Sequence, residues 1–165
     1  MTGGALNLLE RLTRAGVDFV VVGGFAGVVH GCTYITQDID ICCDFTPANL
    51  LALKRALAGL HPIHRMTPGR KNLELTEQNA AQFKNLYLDT DMGPLDCLSR
   101  IEGLGPYAEV VQSSEITQAG AVQLRVLSVE ALIKTKRAMN RPRDKEAVLQ
   151  LETLRQLRNR PKTDA

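Results

Sequence analysis

The stretch Val20-Val21-Val22-Gly23-Gly24-Phe25-Ala26, followed by Thr36-Gln37-Asp38-Ile39-Asp40-Ile41, constrains this chain more than any other. Consecutive valines favour an extended strand, because β-branched side chains fit a pleated surface. Gly23-Gly24 ends that strand at a turn where the backbone approaches its surroundings without a Cβ. Phe25 to His30 suits a short helix that stops at Gly31. Asp38 to Phe45 reads as a second strand, in which Asp38 and Asp40 share one face and Ile39 and Ile41 the other.

Each part carries a chemical reading. Two carboxylates on one strand face repel, and each raises the other's proton affinity unless a cation separates them. A hard divalent cation such as Mg²⁺ (or Mn²⁺) is the natural partner for oxygen ligands. The plainer alternative is two surface aspartates on an exposed face. A strand that turns through Gly-Gly into a helix leaves backbone N–H groups free to hold a phosphate. The alternative there is a tight connection with no ligand. Together, the two signals place a phosphate cradle beside a carboxylate pair.

The remaining pattern is α+β, a small mixed sheet with flanking helices and a helical C-terminus. Ala5–Ala15 carries leucines at helical spacing, with Gly16 as the stop. Thr46-Pro47 reads as an N-cap followed by proline at the first helical position, opening a helix that ends near Gly59. Residues 61–72 form a basic loop, and Leu73 to Thr76 a short strand. Asn85–Asp89 and Leu95–Leu98 flank the turn Thr90-Asp91-Met92-Gly93. Val110-Val111 and Val122–Leu127 suggest further strands. Ser128 caps a helix through Met139, Pro142 breaks it, and Asp144 caps a last helix to about Arg158. Residues 1–165 are read as one domain, with the helical segment at about 128–160.

Composition excludes several classes. With 44% apolar and 23% charged residues the chain is neither disordered nor fibrous. The longest uncharged stretch, Phe19 to Gln37, is broken by four glycines and His30, so no membrane span is expected. Met1-Thr2-Gly3-Gly4 shows no signal peptide, and the expected location is the cytoplasm. Cys32, Cys42, Cys43 and Cys97 form no CxxC and read as reduced, packed thiols. From Lys134 onward, ten Lys/Arg face four Asp/Glu. That excess, with Arg65, Arg70 and Lys71 in the basic loop, would suit a polyanion such as RNA, or else solvated faces.

These segments resemble the nucleotidyltransferases of the DNA polymerase β superfamily in their minimal form, over roughly residues 17–150. The closest likeness is to the abortive-infection-toxin-like group. It adds a C-terminal segment matching Leu132-Ile133-Lys134-Thr135-Lys136-Arg137-Ala138 and Arg141-Pro142-Arg143-Asp144. The resemblance implies metal-dependent transfer of a nucleoside monophosphate from an NTP to an acceptor. Asp38, Asp40 and a third aspartate would hold Mg²⁺ or Mn²⁺, and Gly23, Gly24, Thr36 and Lys136 would bind the nucleotide. Asp96, between apolar residues on a strand, is the first choice for the third carboxylate; Asp89 is second, and Asp91 sits in the turn. Lys136 reads equally as a triphosphate contact or a solvated helix lysine. His30 reads as a packed helix-end residue rather than a base; Arg137 and Arg141 are weaker candidates.

Relatives often carry Arg where this chain has Tyr34. That substitution motivates an alternative, a non-catalytic binding module or antitoxin partner. The acceptor stays open: RNA such as tRNA, a small molecule such as an aminoglycoside-like antibiotic, or a protein hydroxyl in a toxin–antitoxin or phage-defence system.

Overall fold

The computed structural model describes residues 3–161. Met1 and Thr2 of the N-terminal reading, and Lys162 and Asp164 of the basic tail, lie outside the described residues. In chain order the elements are α1 (Gly3–Arg14), β1 (Phe19–Val22), α2 (Gly23–His30), β2 (Ile39–Cys43) and α3 (Pro47–Ala56). Then come β3 (Ile63–His64), β4 (Asn85–Thr90), β5 (Gly93–Leu98), β6 (Arg100–Ile101), β7 (Gly105–Pro106) and α4 (Tyr107–Gln112). The chain ends in β8 (Ser114–Ala119), β9 (Val122–Leu127), α5 (Val129–Met139) and α6 (Lys145–Arg158).

Seven strands form one mixed sheet in the order β3-β4-β5-β2-β1-β9-β8, and β6 pairs with β7 apart from it. β1 runs antiparallel to β2 with Val22 opposite Asp40. β2 runs parallel to β5 with Asp40 opposite Asp96. These two registers bring the end of β1, the start of β2 and the middle of β5 to one place. Val20, Val21, Ile41, Leu88, Leu95 and Val126 are fully buried within the sheet. Each such side chain contributes roughly 1.5–3 kcal/mol by leaving water.

Local chemistry explains the helix ends. In α1, Leu8, Leu9 and Leu12 are completely buried, and Gly16 follows in the left-handed region. Thr46 accepts the Asn49 amide and Pro47 takes the first helical position, as its fixed φ allows. Ser128 accepts the Ala131 amide at 3.1 Å, and Asn140 ends α5 with φ 48°. The helical C-terminus is therefore two helices, α5 and α6, packed on each other and on α2.

Four expectations are corrected. Val110-Val111 lies in α4, not a strand: Pro106 sets the N-cap, Glu109 sits in the first turn, and Val110 alone is fully buried. Leu73–Thr76 is irregular chain fastened by buried Leu75, whose carbonyl accepts from Lys54 Nζ at 3.1 Å. The loop 61–72 contains β3, which pairs with β4 through Ile63 and His64. Asp144 stands at the N-cap of α6, yet its carboxylate bonds no helix amide; it accepts from Arg141 and Lys136 instead.

Candidate active site

The site is built where β1 turns into α2. Gly23 has φ +67°, a region that disfavours any Cβ, and a Cβ placed there would lie 2.3 Å from Asp40 Oδ2. Glycine is thus what lets the Asp40 carboxyl rest against the backbone. No side chain caps the N-terminus of α2, so its first amides open toward the same space. Asp40 projects from β2, half-buried. Burial, then the charges of Asp96 and Asp38, push its pKa up to about 7. Asp96 is also raised, by burial first, although Arg65 pulls it down. The two carboxyls are neighbours across the β2–β5 register, and each raised group reflects burial before the charges around it.

Arg65 is the residue that sequence reasoning misplaced. Its Nη2 donates to Asp96 Oδ1 at 2.5 Å, Nη1 donates to the Leu88 carbonyl at 3.2 Å, and its backbone amide donates to the Tyr87 carbonyl at 2.8 Å. A two-residue strand fixes it there, and no single-sequence signal distinguishes that from a loop arginine. Arg70 in turn pairs with Asp89, and His61 bonds Asp91 at 2.6 Å. Asp89 and Asp91 line no part of the cleft described below.

Asp38 differs from expectation: β2 starts one residue later, and Asp38 stands just before it, exposed at the rim. Its charge nevertheless raises both Asp40 and Asp96. Thr36 Oγ1 donates to the Asp38 carbonyl at 3.2 Å and lies over Gly24, where a Cβ would meet it at 3.1 Å. Tyr34 donates its hydroxyl to the Gly24 carbonyl at 3.0 Å and presses on Gly27, where any Cβ would collide with it. The chain thus ties the Gly23-Gly24 turn to an aromatic ring, and burial holds that phenol above its usual pKa.

Across the cleft stands α5. Lys136 is 6% exposed, so it is not a solvated lysine; its Nζ lies 3.4 Å from Asp144 Oδ1. Arg141 donates to both Asp144 oxygens, at 2.6 and 3.2 Å. Burial pushes the Asp144 pKa up, but the Arg141 bonds and the Lys136 charge outweigh it, and the net shift is downward. His30 is the packed residue expected. Its Nε2 bonds the Leu127 carbonyl at 2.7 Å and must therefore carry the proton, leaving Nδ1 to accept from Arg158 at 3.0 Å.

Asp38, Asp40 and Asp96 thus face Lys136 and Asp144 across one open cleft of about 810 Å³, with Gly23 and Gly24 at its base. Among the described residues no three His, Cys, Asp or Glu converge into a complete metal-ligand group. Mg²⁺ does not require one, being commonly held by one or two carboxylates together with substrate phosphates and water. The Asp38–Asp40 pair beside an uncapped helix start fits that mode of binding. No described helix is long and apolar enough to cross a membrane.

No protein-family model matches the sequence, and no curated protein does. Solved structures do match in fold. The lincosamide antibiotic adenylyltransferase LnuA, solved with lincomycin bound, aligns with TM-score 0.63 and 16% identity, over 93% of this chain and 98% of that one. ANT(2")-Ia in complex with adenylyl-2"-tobramycin aligns with TM-score 0.55 and 17% identity, over 96% and 95%. A candidate nucleotidyltransferase from Thermotoga maritima aligns with TM-score 0.51 and 18% identity, over 94% and 90%. The chain therefore has the fold of these nucleotidyltransferases, across nearly its whole length.

Proposed function

We propose that this protein is a metal-dependent nucleotidyltransferase moving a nucleoside monophosphate from an NTP to a small hydroxylated acceptor. The observation that carries the reading is the single cleft joining Asp38, Asp40 and Asp96 to the uncapped start of α2, in a nucleotidyltransferase fold. The amides at Gly23 and Gly24 would receive the phosphates, as a helix N-terminus favours anions. Asp38 and Asp40 would hold a divalent cation, Mg²⁺ or Mn²⁺. When bound, it would neutralise charge on the transferring phosphoryl group. Thr36 would keep the Asp38 backbone in place, and Lys136 would present charge to the triphosphate from the opposite wall. Asp96, with one oxygen free of Arg65, would take the acceptor's proton.

The acceptor reading follows from charge and size. Two of the three loop cations that suit RNA are already engaged: Arg65 with Asp96 and Arg70 with Asp89. The cleft volume falls within the range of small-molecule sites, roughly 300–1,000 Å³. The two antibiotic enzymes with this fold make ATP the first donor to try and lincosamides and aminoglycosides the first acceptors. The four buried thiols fit a reducing, cytoplasmic setting. The toxin–antitoxin and phage-defence assignments stay tied to the sequence resemblance.

The test is thermal melting with each NTP, with and without Mg²⁺, followed by label transfer from the donor so identified to each acceptor class. A ligand at ~100 times its Kd stabilises by about 2.7 kcal/mol. A Mg²⁺-dependent shift with one NTP is expected, lost in folded Asp38→Asn and Asp40→Asn. No shift with any NTP would sink the enzyme reading and favour a non-catalytic binding module.

A further inference from the structure

We propose that Arg65 takes the place of a second cation, so that this cleft loads one divalent ion rather than two; the inference rests on the nucleotidyltransferase reading above. In two-metal sites the ions lie ~3.5–4 Å apart, and each needs ligand oxygens within reach. Here Asp96 Oδ1 is bonded by Arg65 Nη2 at 2.5 Å. The guanidinium is not a loose surface group: its Nη1 is anchored on the Leu88 carbonyl, and the Arg65 amide on the Tyr87 carbonyl. Its side chain is 22% exposed.

Local charge balance points the same way. Arg70 pairs with Asp89, and Arg65 pairs with Asp96. Both pairs are neutral. What remains on this side of the cleft is the Asp38–Asp40 pair, whose charge, two at most, one divalent ion offsets. A second divalent ion would have to bind beside a fixed guanidinium, which repels it and already occupies one of the two Asp96 oxygens. Arg65 is thereby a positioning residue. It holds the Asp96 carboxylate aimed into the cleft, leaving its free oxygen to the acceptor rather than to a metal.

The experiment counts ions. The full chain is titrated with Mn²⁺ in the presence of α,β-methylene-ATP, and electron paramagnetic resonance reads bound Mn²⁺ per protein-bound nucleotide. One ion is expected in the wild type, two in Arg65→Met, and one again in Arg65→Lys, which restores the charge. Two spin-coupled ions in the wild type overturn the inference and leave the transferase reading standing. One ion in Arg65→Met, with circular dichroism unchanged, overturns the role given to Arg65. No bound ion in the wild type overturns the transferase reading itself. The wild-type count decides the matter even if Arg65→Met fails to fold.

Discussion

Asp40 is held in the folded protein at a free-energy cost that changes with pH. Burial and the neighbouring carboxylates raise its pKa from 3.8 to about 7. The folded state therefore binds more protons than the unfolded state between about pH 4 and 7. Stability contributed by this group is present at low pH and falls as pH rises through that window. Three pKa units set a ceiling of roughly 4 kcal/mol, which solvent reaching the cleft reduces. Asp40→Asn removes the penalty while nearly keeping the shape. In metal-free buffer the variant is expected to melt several degrees above wild type at pH 8, with the gap closing toward pH 4. Equal melting temperatures at both pH values would contradict the raised pKa. If the proposed function holds, activity and stability move in opposite directions at this residue, the trade-off that functional sites commonly make.

At the scale of elements, the turn between α5 and α6 depends on one buried acid. Asp144 accepts from Arg141 and lies beside Lys136, and its pKa is lowered on balance. A lowered carboxylate stabilises the fold above its unfolded pKa, and that stabilisation disappears as pH falls through the folded value. Asp144→Asn leaves Lys136 charged and nearly buried, so it is expected to cost roughly 3–5 kcal/mol at pH 7. The cost should shrink below pH 4, and adding Lys136→Met should recover part of it; urea melts of the four proteins close that cycle. The same turn illustrates what the sequence conceals. Helix starts such as Thr46-Pro47 and Ser128, the Val20–Val22 strand and the β4–β5 hairpin were legible, because propensity and capping act locally. Asp144 read as a cap because a lone sequence does not reveal that Lys136, a helix residue eight positions earlier, returns to claim its carboxylate. Val110-Val111 was misread for a related reason: two β-branched residues suggest a strand, but packing of Val110 alone decided for a helix. Asp38 was placed one residue too deep in β2. The strand that carries Asp96 was legible, whereas the pairing of Asp96 with Arg65 was not, because it spans 31 residues and depends on the register of β3 against β4.

At the scale of the whole molecule, the cleft has two unlike walls. One is formed by the central strands β2 and β5, which bear Asp40 and Asp96. The other is α5 with the Pro142–Asp144 turn and the start of α6, which lean on α2. α1 and α3 pack on each other elsewhere, and neither contributes a residue to the cleft. Leu151 in α6 and Leu8 in α1 are both completely buried. Truncating either to alanine opens a cavity and costs roughly 2–5 kcal/mol, a melting-temperature drop of roughly 5–15 °C for a chain of this size. By stability alone the two variants should look alike. By ligand response they should not. Leu151→Ala loosens the wall that presents Lys136 and Asp144, so the Mg²⁺–NTP stabilisation should shrink along with the melting temperature. Leu8→Ala should melt early yet keep the full nucleotide-dependent shift, because the strand registers Val22–Asp40 and Asp40–Asp96 do not run through α1. Parallel melts of both variants, with and without Mg²⁺–ATP, measure the difference directly. An equal loss of the nucleotide shift in both would mean that the cleft is set by global stability rather than by the packing of α6 against α5 and α2.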